Sequence, residues 1–266
     1  MSIIKYDVIG STNDEAERLL AAGEVQIGDT IVADKQDDGH GRLGRDFVSP
    51  VGGLYMTVLC PADMDVPTVR AAVSTNKVLK EKFGVDTKIK WINDITLEGK
   101  KVCGILANGI TKAQLGTDAA DPTANDIGAV AIGIGVNFAA QDCFEELEAT
   151  FIDTGLEAGS DAFFAKRDEI AEAIATDLLA NADKAAVIEA YKEDSAVLGQ
   201  RIFVYKHGLD KPAMDAKVLG IDDNGGLMVQ YMVKARHGTS GFGGGKDTLR
   251  SANVTIRIQE NFQGRK

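Results

Sequence analysis

Residues 39–45 read GHGRLGR, and the interpretation of the rest of the chain depends on this stretch. Its three glycines allow the backbone to adopt positive φ values and to approach a ligand closely. Arg42 and Arg45 offer forked, permanently charged donors that suit carboxylates and phosphates. The stretch therefore predicts a flexible anion-binding loop that closes over a nucleotide-like molecule.

The same stretch matches the dinucleotide-binding pattern G-x-G-x-x-G over residues 39–44. That pattern requires a helix to begin within it. The following residues, 46–53, contain Pro50, Gly52 and Gly53, so a helix of useful length does not start there. A kinase-type glycine loop is disfavoured as well, because neither H-R-D nor D-F-G follows in the chain.

The composition is that of an ordinary globular protein. The 266 residues are 44% hydrophobic and 26% charged, and the formal net charge of −11 argues against general nucleic-acid binding. No apolar run reaches membrane-spanning length and no signal peptide opens the chain, so we expect a cytoplasmic protein with no membrane partner. Cys60, Cys103 and Cys143 are widely spaced, which indicates reduced thiols rather than a metal site.

Hydrophobic patterns and turn signals predict an α+β fold in which helices pack on a mixed β-sheet. Helices are predicted over residues 11–22 and 66–83, each followed by a glycine that ends it. A long polar loop is predicted over residues 111–127. Strands are predicted over residues 3–9, 30–33, 54–60, 87–91, 95–97, 101–107 and 129–138.

The pattern changes towards the C-terminus. Further helices are predicted over residues 143–150, 163–181 and 184–193. Short strands follow over residues 201–205, 213–221, 227–233 and 254–258, with a hairpin turn at 222–226 and a glycine-rich loop at 240–245. We therefore predict a large domain over residues 1–196 and a small all-β domain over residues 197–266.

Three further motifs offer chemistry, and each also has an ordinary structural interpretation. Residues 88–94, KIKWIND, end a basic strand at Asn93 and Asp94, where a carboxylate can hold Mg²⁺ or a ligand ring, or simply form a turn. Lys101 can stabilise negative charge in a transition state, or merely start a strand. The strand GIGVN, residues 133–137, has two glycines that allow a ligand or a helix to approach, and Asn137 can donate to a ligand hydroxyl.

Together and in this order, these motifs resemble the biotin protein ligase family. The resemblance is carried by Ser11, Thr12 and Asn13, by Gln36 with residues 39–45, and by residues 90–94, 101–106 (KVCGIL) and 133–137. Residues 247–251 (DTLRS) look like the family's C-terminal barrel. The resemblance covers residues 5–258, and residues 11–137 hold its most specific motifs.

The resemblance implies a class II synthetase-like catalytic domain that binds biotin and ATP over residues 1–196, followed by a small SH3-like β-barrel over residues 197–266. It also implies two half-reactions. The biotin carboxylate attacks the α-phosphate of ATP and gives biotinyl-5′-AMP and pyrophosphate. A lysine of a biotin carboxyl carrier protein domain then attacks the mixed anhydride and releases AMP. Biotin is thus the expected substrate, with ATP and Mg²⁺ as co-substrate and metal.

The resemblance also implies roles for individual residues. Lys101 and Arg42 are the expected catalytic residues, and Asp94 is the expected ligand of a Mg²⁺ ion that arrives with the nucleotide. The expected biotin-binding residues are Ser11, Thr12, Asn13, Gln36, Gly39, Gly41, Arg42, Lys101, Gly104 and Gly133. The expected ATP- and adenylate-binding residues are Arg42, Arg45, Phe47, Asn93, Asp94, Lys101 and Asn137.

The chain departs from the family in its loop, where His40 and Leu43 replace residues that are often arginine and Phe47 stands where some members have tryptophan. About ten residues precede Ser11, too few for a helix-turn-helix, so we expect a ligase without a repressor function or a DNA partner. A homodimer is compatible with the sequence. The alternatives are a lipoate–protein ligase of the same superfamily and a non-catalytic biotin-binding regulator, although the retained Lys101 and Arg42 argue against the regulator.

Overall fold

Two β-sheets and four α-helices form the part of the chain that the computed structural model describes. This part comprises residues 1–116, 126–206, 209, 211–234, 240–250 and 254–259. None of the helices in these ranges is long and apolar enough to cross a membrane.

The larger sheet has seven strands in the order β1-β2-β3-β7-β6-β5-β4. Strands β1 and β2 run parallel and are connected through helix α1 (Thr12–Ala21), whereas every other neighbouring pair is antiparallel. The strands are β1 (Ile3–Ile9), β2 (Thr30–Gln36), β3 (Gly53–Pro61), β4 (Lys88–Lys90), β5 (Asp94–Leu97), β6 (Lys100–Thr111) and β7 (Ile127–Asn137).

Helices cover both faces of this sheet. Side chains of a strand alternate between the two faces, and on the central strand β3 the side chains of both faces are buried. On β3, Met56 and Val58 belong to the main core beneath α2 (Pro67–Phe83) and α3 (Asp161–Leu179). Leu59 lies in a smaller core with Leu19 of α1 on the opposite face. α1 covers only part of its face, and the uncovered part forms a cavity described below.

The helix ends follow from local sequence. α2 ends at Gly84, which adopts a left-handed φ of 65° that glycine tolerates best. Ser160 caps α3 by accepting from Phe163 N at 3.2 Å, and Asp183 caps α4 (Lys184–Glu193) by accepting from Ala186 N at 3.1 Å.

The second sheet is antiparallel and has five strands in the order β11-β10-β9-β8-β12. Its residues Val204 and Leu227 belong to the same core cluster as Leu79 of α2, so the two sheets share one hydrophobic core. The strands are β8 (Arg201–Tyr205), β9 (Met214–Ile221), β10 (Leu227–Lys234), β11 (Ser240–Leu249) and β12 (Thr255–Ile258).

The predicted mixed sheet with packed helices is confirmed, but the helix predicted over residues 143–150 is wrong. A single 3₁₀ turn occupies Asp142–Phe144, and Glu148 has a positive φ of 53°, which ends any helix. The backbone around Ala149 instead pairs with Lys101, with Thr150 N donating to Lys101 O at 2.8 Å. Pairing with β6 therefore overrides the helical pattern of this segment.

The glycine-rich loop predicted over residues 240–245 is also wrong, because these residues belong to strand β11. β11 pairs with β10 across an irregularity between Gln230 and Met232. A Cβ atom at position 244 would overlap the Tyr231 carbonyl, so Gly244 is needed for the close approach of the two strands. Glycines that suggest flexibility here serve tight strand pairing.

The polar loop predicted over residues 111–127 connects β6 and β7. Residues 112–116 form a turn that follows the end of β6 at Thr111. The predicted loop residues 117–125 and the predicted motif residue Ser251 lie outside the described residues.

The two adjacent glycines Gly244 and Gly245 give a matched test of β11. Gly244→Ala should lower the free energy of unfolding by about 1–3 kcal/mol, because its methyl group meets backbone that cannot move aside. Gly245→Ala should not destabilise the protein, because nothing lies within 4 Å of a Cβ atom there. Urea unfolding followed by circular dichroism measures both. Equal effects of the two substitutions would contradict the paired strand and favour a loose loop.

Candidate active site

A cavity of about 340 Å³ lies where α1 leaves the large sheet uncovered. It is lined by the start of α1, the loop after β2, strands β4 to β7 and residues 254–257. Every site residue predicted from the sequence lines it except Gly39. Those that do are Ser11, Thr12, Asn13, Gln36, Gly41, Arg42, Arg45, Phe47, Asn93, Asp94, Lys101, Gly104, Gly133 and Asn137.

A hydrogen-bonded network forms the polar wall of the cavity. Oε1 of Gln36 accepts from the backbone N–H of Thr12 at 2.8 Å and from its hydroxyl at 3.0 Å. Nε2 of Gln36 donates to the Ser49 hydroxyl at 2.9 Å. The Thr57 hydroxyl donates to Oδ1 of Asn13 at 2.6 Å. Gln36 therefore positions the start of α1 and the end of the loop, in addition to its predicted contact with biotin.

Asn13 presents an unpaired donor at this wall. The residue is 5% exposed, and its Nδ2 atom has no hydrogen-bond partner among the described residues. The amide lies against β7, where a Cβ atom at Gly133 would come within 2.5 Å of Asn13 Oδ1. A buried N–H without a partner costs about 1–3 kcal/mol. The wall therefore favours a ligand that brings an acceptor oxygen to Asn13.

The two side chains that are predicted to be catalytic, Lys101 and Arg42, contact the turn that begins β5. Nζ of Lys101 lies 2.8 Å from Oδ1 of Asp94, and Nη1 of Arg42 donates to Oδ1 of Asn93 at 3.0 Å. Nδ2 of Asn93 in turn donates to the Ile105 carbonyl at 2.8 Å, which fixes the turn on β6. The Asn93–Asp94 turn thus places both cations at the cavity.

Burial affects two of the cations at the cavity. It lowers the pKa of the Arg42 guanidinium, while the nearby Asp94 carboxylate opposes the shift. It also lowers the pKa of the Lys90 ammonium, against the attraction of Asp94 and Glu148. The sequence motifs gave Lys90 no separate role. Because neighbouring side chains of a strand point to opposite faces, the burial of Ile89 in the core already indicated that Lys90 points to the other face of the sheet. A partly desolvated cation gains most from an anionic ligand.

Phe47 covers Gly104 and Gly135, two glycines at which the sequence predicted the approach of a ligand. A Cβ atom at Gly135 would overlap the Phe47 ring, and one at Gly104 would lie 3.0 Å from it. The ring centroid lies 5.7 Å from Nζ of Lys101 and 6.4 Å from the centroid of Tyr55. In this structure the Phe47 ring therefore lies against the backbone of β6 and β7 and forms an apolar wall beside Lys101.

Gly39 lies beside the cavity and closes the loop. Its carbonyl accepts from Phe47 N at 2.7 Å. A Cβ atom at this position would come within 2.5 Å of the Phe47 carbonyl and 2.6 Å of the Ser49 hydroxyl. The structure gives Gly39 a role in tight loop closure, and its contact with biotin stays a prediction.

Sequence reasoning missed the wall of the cavity that the segment after β7 forms. Asn137 donates through Nδ2 to the Thr150 carbonyl at 3.1 Å, which ties the two ends of this segment together. The predicted helix over residues 143–150 concealed this wall, because a helical backbone would not pair with Lys101 of β6 as the extended backbone around Ala149 does. The segment lines the cavity with Gln141, Phe144, Leu147, Glu148 and Ala149.

The C-terminal half of the chain fixes the position of residues 91–94. Nε1 of Trp91, which is buried, donates to the Gly225 carbonyl of the turn between β9 and β10 at 2.9 Å. The hydroxyl of the fully buried Tyr191 on α4 donates to the Ile92 carbonyl at 3.1 Å. The turn that carries Asn93 is therefore held from two sides.

Comparison with known proteins shows what the N-terminal part of the chain is similar to. Residues 6–117 match the family model described as "Biotin/lipoate A/B protein ligase family". The chain is 36% identical over 141 residues to the "Bifunctional ligase/repressor BirA" of Bacillus subtilis, an alignment that covers 51% of this chain and 40% of the relative. It is 34% identical over 136 residues to the "Biotin--[acetyl-CoA-carboxylase] ligase" of Paracoccus denitrificans, covering 48% and 51%. The alignments thus span about half of these relatives or less.

Solved structures extend the likeness to the whole fold. The biotin protein ligase from Aquifex aeolicus in complex with biotin and ATP is similar with a TM-score of 0.66 at 20% identity, covering 97% of this chain and 99% of that one. The biotin protein ligase from Leishmania major in complex with biotinyl-5-AMP has a TM-score of 0.57 at 22% identity, covering 94% and 99%. At this identity the likeness establishes the fold. The resemblance found in the sequence motifs is thus confirmed at the level of a domain, since residues 6–117, less than half of the chain, match the biotin/lipoate A/B protein ligase family model.

Proposed function

We propose that the protein is an ATP-dependent biotin protein ligase. It would activate biotin to biotinyl-5′-AMP with release of pyrophosphate, and then transfer biotin to a lysine of a biotin carboxyl carrier protein domain. The observation that carries the proposal is the presence, in one cavity, of the unpaired Asn13 donor and the cations Lys101 and Arg42. The Asn13 donor suits the neutral polar head of a ligand, and the two cations suit a carboxylate and phosphates.

The first half-reaction needs fixed positive charge, because a carboxylate and a triphosphate repel each other. Arg42 and Arg45 lie on the loop beside the cavity and would bind the phosphates. Lys101 would lie between the carboxylate and the α-phosphate and would stabilise the charge that develops as the C–O–P link forms and pyrophosphate leaves. Phe47 beside Lys101 would help exclude water from the mixed anhydride.

Mg²⁺ fits this site as an ion that arrives with the nucleotide. Among the described residues, no three side chains of the metal-binding types lie close enough to hold an ion by themselves. Mg²⁺ is commonly held by one or two carboxylates together with substrate phosphates, and Asp94 offers one such carboxylate at the cavity. When bound, the ion would neutralise phosphate charge.

The second half-reaction would use a lysine amine of the carrier domain, which attacks the acyl carbon and displaces AMP. The name of the Paracoccus denitrificans relative, a biotin–[acetyl-CoA-carboxylase] ligase, supports a carboxylase as the source of this domain. We further propose that residues 1–196 form the class II synthetase-like catalytic domain and that residues 197–266 form the SH3-like barrel. The five-stranded antiparallel sheet of β8 to β12 is compatible with such a barrel.

Biotin is favoured over lipoate by the chemistry of the polar wall. A ureido ring offers a carbonyl oxygen to Asn13 Nδ2 and N–H groups to the nearby hydroxyls. The dithiolane ring of lipoate offers no such acceptor and would leave the buried N–H unpaired. Sites built to hydrogen-bond a substrate group discriminate strongly against analogues that lack it.

Exchange of labelled pyrophosphate into ATP tests the function directly. The chain should exchange pyrophosphate when biotin is present, and lipoate in its place should support little exchange. Exchange with lipoate alone would identify the alternative ligase. Binding of biotin by calorimetry without any exchange would instead identify a non-catalytic regulator.

Lys101 and its neighbour Lys100 provide a matched test of the charge assignment. Lys101→Ala should lower kcat for exchange about a hundredfold with a smaller effect on KM for biotin, because the charge acts mainly in the transition state. Lys100 is exposed at the start of β6 and does not line the cavity, so Lys100→Ala should leave exchange unchanged. Similar rates for both variants, with both folded by circular dichroism, would remove Lys101 from the mechanism.

A further inference from the structure

The segment after β7 brings a carboxylate to the cavity to which the activation of biotin gives no role. Glu148 lines the cavity beside Leu147 and is exposed to solvent. Its carboxylate makes no salt bridge or hydrogen bond with any residue that the structure describes. The carboxylate of Asp94, in contrast, lies 2.8 Å from Nζ of Lys101. Glu148 is therefore able to accept a cation from outside the protein.

The backbone fixes Glu148 directly beside Lys101. The Glu148 carbonyl accepts from Lys101 N at 3.1 Å, and Thr150 N donates to Lys101 O at 2.8 Å. The φ of Glu148 is 53°, in the left-handed region that residues other than glycine rarely adopt. Because strand pairing on both sides holds this conformation, the position of Glu148 relative to Lys101 is set by the sheet.

The charge of Glu148 acts on the interior of the cavity. Burial lowers the pKa of the Lys90 ammonium, and Asp94 and Glu148 are the two carboxylates whose attraction opposes that shift. Asp46 also lines the cavity, but it is exposed on the loop after β2 and is not among the charges that act on Lys90. Of these three carboxylates, Glu148 thus combines a field inside the cavity with the absence of a salt bridge.

The acceptor of the second half-reaction needs such a charge. A lysine side chain is an ammonium ion at neutral pH. The cavity that it must reach already holds the cations of Lys90, Lys101 and Arg42, and like charges repel each other. A carboxylate at the entrance opposes this repulsion and accepts hydrogen bonds from the three N–H donors of an ammonium group.

Apolar side chains at the entrance fit the rest of a lysine side chain. Leu147 lines the cavity and is 57% exposed, and Val48, which lines it from the loop, is 46% exposed. A lysine carries its charge at the end of an aliphatic stem, which packs on apolar surface while the ammonium group reaches a polar partner. Leu147 and Glu148 together therefore suit a lysine better than a metal ion, which would use only the carboxylate.

We propose that Glu148, with Leu147 beside it, is the entrance subsite that receives the lysine side chain of the acceptor protein. This inference rests on the proposed function, because it concerns the acceptor of the second half-reaction. At this exposed position the ammonium would lose one proton to solvent before it attacks. The nitrogen then forms its bond to the acyl carbon, AMP leaves with the electron pair of the broken C–O bond, and the nitrogen releases a second proton to solvent.

Transfer from supplied biotinyl-5′-AMP to the carrier domain of an acetyl-CoA carboxylase, catalysed by the full chain, tests the subsite. Glu148→Gln keeps the shape of the side chain and removes its charge. It should raise KM for the carrier domain about threefold to fivefold at low salt, the effect of losing one exposed ion pair. Added salt should reduce this difference from the wild type. Glu148→Lys should raise KM further, because it repels the acceptor.

Glu146 provides a matched control on the same segment. It is exposed and does not line the cavity, so Glu146→Gln should leave KM for the carrier domain unchanged. Circular dichroism establishes that all variants are folded. An unchanged KM in Glu148→Gln, or equal increases in Glu148→Gln and Glu146→Gln, would overturn the subsite.

Hydroxylamine separates recognition of the acceptor from a general effect on the site. It is a neutral nucleophile at neutral pH and cleaves acyl adenylates without presenting an ammonium group. In Glu148→Gln, the rate at which hydroxylamine consumes bound biotinyl-5′-AMP should fall less than the rate of transfer to the carrier domain. Equal losses with both nucleophiles would show that Glu148 acts on the adenylate or on the fold, and would overturn the subsite.

The subsite and the proposed function fail in different ways. Supplied biotinyl-5′-AMP bypasses the first half-reaction, so the KM values decide the subsite even when biotin-dependent exchange is absent. Exchange and transfer by the wild type, together with an unchanged KM in Glu148→Gln, overturn the subsite alone. A wild-type chain that exchanges pyrophosphate but does not biotinylate the carrier domain overturns the subsite together with the second half-reaction.

Discussion

The site depends on the absence of side chains at three positions of two adjacent central strands. Gly104 on β6 and Gly133 and Gly135 on β7 leave the backbone of the sheet bare on the face that carries α1. Asn13 and Phe47 pack into this space, where a Cβ atom at 133 or 135 would collide with them. The same bare surface allows a cavity to form in a sheet whose other face is a continuous core.

Polar and charged groups then divide this cavity into two chemically different parts. At the wall near Asn13 the groups are neutral and bonded to one another through Gln36 and Thr57. Beside them lie two cations: Lys101, whose Nζ is close to the Asp94 carboxylate, and Arg45, which donates to the Thr255 hydroxyl. A ligand that carries a neutral polar head and an acid group at opposite ends would satisfy both parts together. The two parts of the cavity therefore support the proposed activation of an acid that has such a head.

The short motifs made most of the site predictable, because each is a local arrangement that needs little tertiary information. The Asn93–Asp94 turn, the strand start at Lys101 and the glycines of β7 appear in sequence as strand ends and strand glycines, and the structure brings them to one cavity. Two walls were not predictable. Residues 143–150 have a helical pattern, but pairing with Lys101 keeps them extended, and residues 254–257 contact the loop only through the tertiary fold. The loop prediction over residues 240–245 was wrong because the sequence does not distinguish a glycine needed for close strand pairing, such as Gly244, from a glycine in a flexible loop.

A crystal structure of the chain with biotin and a non-hydrolysable ATP analogue would show how one ligand occupies both parts of the cavity. We expect the ureido oxygen within hydrogen-bonding distance of Asn13 Nδ2 and the carboxylate beside Lys101. We also expect the phosphates to lie against Arg42 and Arg45. A biotin molecule bound with its carboxylate towards Asn13, or a nucleotide bound outside this cavity, would contradict this arrangement.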